Sequence, residues 1–159
     1  MNPLTLPAER PLRVVLDTNA VMALWHFRDP KLEKLRGWAE SEAVHLLTDE
    51  RCLGELARVL AYYQFKIEPA AQARLLAAYA ARAECLPPPD EAQAAVLAGL
   101  PRCGDRDDQK FIELAVAGAA HLLVSRDKLV LKLARRRELR EQLTILTPER
   151  LQQVLDTSV

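Results

Sequence analysis

Val14, Val15 and Leu16 are three branched apolar residues in succession, and Asp17, Thr18 and Asn19 follow them directly. A short unbroken apolar run fits a strand buried on both faces, the environment of a parallel sheet covered by helices. In open sheets of that kind ligands bind at the carboxyl ends of the strands. Asp17 therefore stands where such a fold puts its chemistry. A charge ending an apolar strand is a poor choice for stability alone, so the remaining question is whether other acids reach the same edge.

The order of the other segments fits an alternation of strands and helices. Met1 to Leu12 reads as an N-terminal tail, and residues 13–159 read as one domain. After a first strand near Arg13–Leu16, Ala20–Trp25 reads as a short helix that Asn19 can cap, and Asp29-Pro30 opens another that runs to about Glu40. Ala43–Leu47 is a second strand candidate. Thr48-Asp49 then caps a helix whose Leu53, Leu56, Ala57 and Leu60 follow helical apolar spacing, which leaves Glu55 off the main stripe on the Cys52/Val59 flank. Pro69–Ala83 is an alanine-rich helix, Glu84–Leu86 a short third strand, and Pro87-Pro88-Pro89 ends it. Asp90–Leu100 is a further short helix. The run Gly104–Asp108 precedes a largely buried helix through Ala117. Leu122–Ser125 is a strand followed by Asp127, Lys128 to about Arg140 a helix, Leu143–Leu146 a last strand, and Thr147-Pro148-Glu149 the start of a final helix. This order predicts an α/β fold with a mostly parallel sheet of four or five strands and helices on both faces.

Composition narrows the function classes. Lysine and arginine number 22 against 22 aspartate and glutamate, so the formal charge is zero and any nucleic acid must be met by a local patch. No run approaches the roughly 18 apolar residues of a membrane span, and Met1–Pro11 has no apolar signal core, which leads us to expect a cytoplasmic protein. Cys52, Cys85 and Cys103 are odd in number and far apart, which suggests neither a disulfide framework nor a zinc motif. His26, His45 and His121 are equally scattered.

The acids are the more informative set. Asp17 ends the first strand, Glu55 lies on a helix flank, Asp105, Asp107 and Asp108 precede a helix, and Asp127 follows a strand. Singly, most have ordinary explanations: aspartate caps helices and favours turns, and glutamate prefers solvent. Together at one edge they would repel, and some would hold protons near neutrality unless a cation intervened. An all-oxygen, highly charged site suits Mg²⁺ or Mn²⁺ rather than zinc. Such a site can polarise a phosphodiester and lower the pKa of an attacking water.

Leu16-Asp17-Thr18-Asn19, then Glu55, then Asp105-Arg106-Asp107-Asp108-Gln109-Lys110-Phe111, then Leu123-Val124-Ser125-Arg126-Asp127 together resemble a PIN domain. PIN domains are metal-dependent ribonucleases, many of them toxins of bacterial toxin–antitoxin pairs. The ending Ile145-Leu146-Thr147-Pro148-Glu149 is similar to the toxin subgroup of that family, and the resemblance covers about Arg13 to Leu151. It implies a three-layer α/β/α sandwich and an Mg²⁺- or Mn²⁺-dependent endoribonuclease. Asp17 would be the first metal ligand, oriented by Thr18 or Asn19, and Glu55 the second acid. Asp108 would be the third, with Asp105 as second choice. Asp127 would be the fourth, with Ser125 the small hydroxyl residue beside it. Arg106 stands where the subgroup often has proline and Gln109 where its acidic run often continues, which leaves the division of work among Asp105, Asp107 and Asp108 open. The resemblance also implies RNA as substrate, a protein antitoxin as partner and a homodimer, with Trp25 and Tyr62-Tyr63 as candidate contact surfaces.

Lys128, Lys132, Arg135 and Arg136 fall on one face of the expected helix, with Arg126 just before it. They are either a phosphate-tracking patch beside the acids or a solvated face with cations near a helix C-terminus. Trp25, Trp38, Tyr62, Tyr63 and Phe65 are candidates for base stacking or for the core. Two other readings are weighed. A phosphatase of the haloacid dehalogenase type needs a second aspartate where Asn19 stands, and a response-regulator receiver needs paired acids and a later strand-ending lysine that the chain does not show. A silent PIN-like binding module is the third possibility, against which stands the presence of all four acids.

Overall fold

The computed structural model describes residues 4–157. Residues 1–3 of the tail and residues 158–159 lie outside the described part. Five strands form one sheet: β1 (Leu12–Leu16), β2 (Val44–Thr48), β3 (Ala83–Cys85), β4 (Leu122–Val124) and β5 (Thr144–Leu146). Their spatial order is β3-β2-β1-β4-β5, and every pair is parallel. The sheet is thus wholly parallel, at the upper end of the four or five strands expected.

Strand alternation splits the core into two layers. Leu12, Val14 and Leu16 of β1 face one side with Leu46, Leu122, Val124 and Leu146, whereas Val15 faces the other with Leu47, Leu123 and Ile145. The first side is covered by α1 (Thr18–Val21) with its continuing π-helical turn Met22–His26, α2 (Glu33–Ala39), the Leu56/Leu60 stripe of α3 (Glu50–Leu60), Tyr79 of α4 (Pro69–Arg82), and α9 (Pro148–Thr157). The second side is covered by α6 (Gln109–Ala117), with Val130 of α7 (Lys128–Lys132) and Leu139 of α8 (Arg137–Arg140). Between β3 and α6 lies α5 (Glu91–Ala98), opened by an Asp90/Gln93 capping box. Helices on both faces of a parallel sheet make the three-layer α/β/α sandwich. Among the described residues no helix is long and apolar enough to cross a membrane.

Several local features differ from the sequence expectations. The first helix is capped by Asp17, whose side chain accepts from the Ala20 N–H, because the helix begins at Thr18 with no intervening loop; Asn19 is already inside it. In α3 the fully buried stripe is Cys52, Leu56 and Leu60, with Leu53 and Ala57 half-buried, and the helix packs against α1, α4 and α6. The expected helix from Lys128 to Arg140 is broken into α7, a 3₁₀ turn at Leu133–Arg135 and α8, because Arg136 takes an extended backbone (φ −69°, ψ 128°). Lys128, Lys132, Arg135 and Arg136 therefore do not share one continuous helix face. Leu12, the last residue of the expected tail, already belongs to β1, and Leu4 and Leu6 of the tail pack against the first core layer.

Two details fix the helix layers. Gly118 ends α6 where a β-carbon would come within 2.7 Å of Leu47 Cδ1 and 2.9 Å of Leu86 Cδ1, so its bareness lets the helix end lie close to β2. Gln152 of α9 is buried, and its Oε1 accepts from the Leu35 N–H at 2.7 Å while its Nε2 donates to Asp156. Leu35 lies in the first turn of α2, where backbone N–H groups have no partner inside the helix. The last helix thus supplies a cap to the second. Gln152→Leu keeps the volume but strands that buried N–H, and should cost about 1–3 kcal/mol, read as a lower urea midpoint at unchanged m value.

Candidate metal centre

In the order β3-β2-β1-β4-β5 the chain leaves β1 to one side and later returns to its other side at β4. The carboxyl ends of β1 and β4 flank this topological switch point, where open α/β sheets bind their ligands. Asp17 follows β1 directly and its N–H donates to the Val124 carbonyl at 3.0 Å, which locks it against the end of β4. Its carboxylate caps α1 by accepting from the Ala20 N–H at 2.8 Å. It is 4% exposed, and Ser125, fully buried at the end of β4, donates its hydroxyl to the same carboxylate. The Ser125 oxygen in turn accepts from the Asp127 N–H at 3.0 Å. One hydroxyl therefore ties the first and last acids of the set together.

Asp127 caps α7, accepting from the N–H groups of Leu129 at 2.8 Å and Val130 at 3.2 Å. Asp105 opens the 3₁₀ turn Arg106–Asp108 by accepting from the Asp107 N–H at 2.9 Å, and the turn delivers Asp108 to the start of α6. Carboxylate oxygens of Asp105, Asp108 and Asp127 lie within 4.8 Å of one another. Glu55 arrives from α3. Its Oε2 accepts from the Thr18 hydroxyl and its Oε1 pairs with the Lys110 ammonium at 2.8 Å. Asp17, Thr18, Asn19, Glu55, Asp105, Asp107, Asp108 and Asp127 all line one cleft of about 280 Å³, whose apolar wall includes Val59, Tyr62, Phe65 and Phe111.

The electrostatics follow from this crowding. Burial pushes the Asp17 carboxyl up to about 6; the Ser125 and Ala20 hydrogen bonds oppose the rise, and the charges of Glu55 and Asp127 add to it. Asp108 is pushed up to about 7, first by burial and then by Asp127, Asp105, Asp17 and Glu55. Acids held partly protonated near neutrality are a site short of positive charge. The donors are all carboxylate oxygens, which fits Mg²⁺ or Mn²⁺, and the three that approach most closely are Asp105, Asp108 and Asp127, with Asp17 and Glu55 at their side.

Lys110, part of the Asp105–Phe111 run, is given no role by the sequence. Its ammonium bridges Glu55 and the Asp107 carbonyl and lies 5.0 Å from the centre of the Phe111 ring. A lysine following an acidic run at a helix start is the only signal for it, and such a lysine usually faces solvent. The cationic stretch is placed elsewhere. None of Arg126, Lys128, Lys132, Arg135 and Arg136 lines the cleft. Arg126 pairs with Glu149 at 2.8 Å and Asp29 at 3.6 Å, and Arg136 with Glu138 at 3.4 Å, whereas Lys128, Lys132 and Arg135 are exposed. Of the aromatic candidates, Trp25 is held by Glu40, Tyr79 and Arg82, while Tyr62 stacks on Phe65 at the cleft.

A buried acid whose pKa rises on folding binds more protons folded than unfolded, so it costs stability as pH rises from its unfolded value through about 6. Asp17→Asn, which keeps the acceptor for Ala20, should stabilise the metal-free protein above pH 6 by about 2–3 kcal/mol. The gain should fade as pH is lowered towards 4, and thermal melts in EDTA across that range read it out. Mn²⁺ should raise the melting temperature of the parent protein far more than that of the variant.

A search of curated proteins finds no match to the chain. A family model described as PIN domain matches residues 13–129, a span that runs from β1 to the start of α7 and contains all the cleft acids named above. The chain belongs to the PIN domain family, whose members are generally nucleases.

Proposed function

We propose that the protein is an Mg²⁺- or Mn²⁺-dependent endoribonuclease and the toxin of a toxin–antitoxin pair. The observation that carries the nuclease reading is the meeting of acids from β1, α3, the turn before α6 and the start of α7 in one cleft at the switch point. Asp17, Glu55, Asp108 and Asp127 would hold the metal, with Asp105 as an additional ligand beside Asp108 and Asp127. A divalent ion bound there would polarise the phosphodiester and lower the pKa of the attacking water. The chain's own residues prepare that site. Ser125 aligns Asp17 with Asp127, the Thr18 hydroxyl and Lys110 fix the two oxygens of Glu55, and Asn19 stands exposed at the mouth. Arg126, Lys128, Lys132, Arg135 and Arg136 are the RNA-binding candidates taken from the sequence, of which Lys128, Lys132 and Arg135 are the ones without an ion pair among the described residues. The toxin role, a protein antitoxin and a homodimer rest on the resemblance to the toxin subgroup, and a cytoplasmic location on the composition of the sequence.

The test is cleavage of a mixed single-stranded and structured RNA pool in Mn²⁺ or Mg²⁺, with EDTA and with Asp17→Asn. Losing a group that merely orients a metal ligand already costs about 10–100-fold, so loss of a ligand itself should reduce cutting by more than about 100-fold, with the fold retained by circular dichroism. Cleavage that survives EDTA or Asp17→Asn would exclude this site. A folded protein that binds Mn²⁺ yet cuts no RNA would exclude ribonuclease activity on that pool and point to another phosphate substrate.

A further inference from the structure

The acid cleft poses a problem for any polyanionic substrate. A metal can offset the charge at the phosphate being cut, but the neighbouring phosphates meet Asp17, Glu55, Asp105, Asp107, Asp108 and Asp127 without help. The whole chain carries no net charge, so the cations that offset this must be local.

Next to the cleft lies a larger groove, of about 810 Å³, lined by Arg51, Arg102, Arg106 and Lys110 against the carboxylates of Asp107 and Glu113. The two cavities share Asp107 as a wall. Lys110 sits at their junction, bonded to Glu55 on the cleft side and to the Asp107 carbonyl. The groove is held in shape. Glu113 of α6 pairs with Arg51 at 2.8 Å and with Arg102 at 3.9 Å, and Arg51 also reaches Asp49 at 3.3 Å. Each guanidinium has five N–H donors, so these contacts orient the arginines without exhausting them. The loop that carries Arg102 is pinned by the buried Gln109, whose side chain accepts from the Cys103 N–H at 2.6 Å and donates to the Pro101 carbonyl at 3.2 Å. Arg106 is exposed, lines the groove and has no ion pair among the described residues.

We propose that this arginine groove is the subsite for RNA phosphates on one side of the scissile bond, with Arg102 and Arg106 as its main contacts. The proposal rests on the nuclease reading and adds to it the path of the strand: out of the acid cleft, past Lys110 and Asp107, and into the groove. It assigns phosphate tracking to residues far in sequence from the cationic stretch 126–136. Arg51 is better described as a positioning residue, since its charge is shared between Glu113 and Asp49.

The test is fluorescence anisotropy with a labelled single-stranded RNA oligonucleotide at several KCl concentrations, in Mg²⁺, using the Asp17→Asn protein so that RNA is bound without being cut. Arg102→Gln/Arg106→Gln is compared with Lys31→Gln/Lys34→Gln, which removes the same charge from α2 and the turn before it. Each phosphate contact on a single strand contributes about 0.7 to the slope of log affinity against log salt. Loss of both arginines should therefore flatten the slope by about 1.4 and weaken binding on the order of 25-fold at 0.1 M salt, and the lysine pair should leave the slope unchanged. An unchanged slope in the arginine variant, with RNA still bound and with the Asp17-bearing protein still cutting, would overturn the groove and leave the nuclease reading standing. Equal flattening by the lysine pair would overturn it too, because the effect would then be one of total charge. If the Asp17-bearing protein neither cuts nor binds RNA, the nuclease reading fails and the groove falls with it.

Discussion

Repulsion among carboxylates gathered at the ends of β1 and β4 is the constraint around which this molecule is built. The fold brings Asp17 and Asp108 together beside Asp127, and burial favours the neutral forms of Asp17 and Asp108. The surroundings answer with hydrogen bonds rather than with cations: Ser125 and the Ala20 N–H for Asp17, two helix N–H groups for Asp127, and an N–H of the 3₁₀ turn for Asp105. Among the described residues, only Glu55 of these acids has a resident cation, Lys110. The site is thus preorganised yet electrically incomplete, the condition in which a divalent ion gains most by binding.

Rigidity follows from the same arrangement. Three of the acids are also the caps of a helix or turn: Asp17 for α1, Asp105 for the turn before α6, Asp127 for α7. Capping fixes a side chain at low cost, because the helix start needs an acceptor in any case. Chemistry and local folding are therefore not in competition at these positions. That is why the ordinary explanation of an aspartate at a helix start holds for Asp127 without competing with the role proposed for it.

Much of this was readable from the residues in order. The apolar run Val14–Leu16 ending at Asp17 fixed the strand, its burial on both faces and the edge at which to look for other acids. The ordered acids that followed led to the PIN family, which the family match from residue 13 to 129 bears out. What escaped the sequence depended on three-dimensional proximity or on backbone detail. Nothing local says that Lys110 turns back onto Glu55, which is 55 positions away. The break at Arg136 is a backbone choice with no proline or glycine to announce it, and it scatters cations that helical spacing had aligned. Arg51, Arg102 and Arg106 come from separate segments, so no window of sequence contains their groove.

The hydrogen bond from the Ser125 N–H to the Leu146 carbonyl has a consequence for the order of events during synthesis. Ser125 joins the first and last acids, but its own backbone is anchored by β5, which lies beyond the span that the family model matches. While residues up to Asp127 are out of the ribosome and β5 is not, β4 is an open edge and the anchor for Ser125 is missing. The full acid centre is therefore completed only when nearly the whole chain is available. A chain interrupted before Leu146 would carry every acid and still lack the strand that holds their link in place.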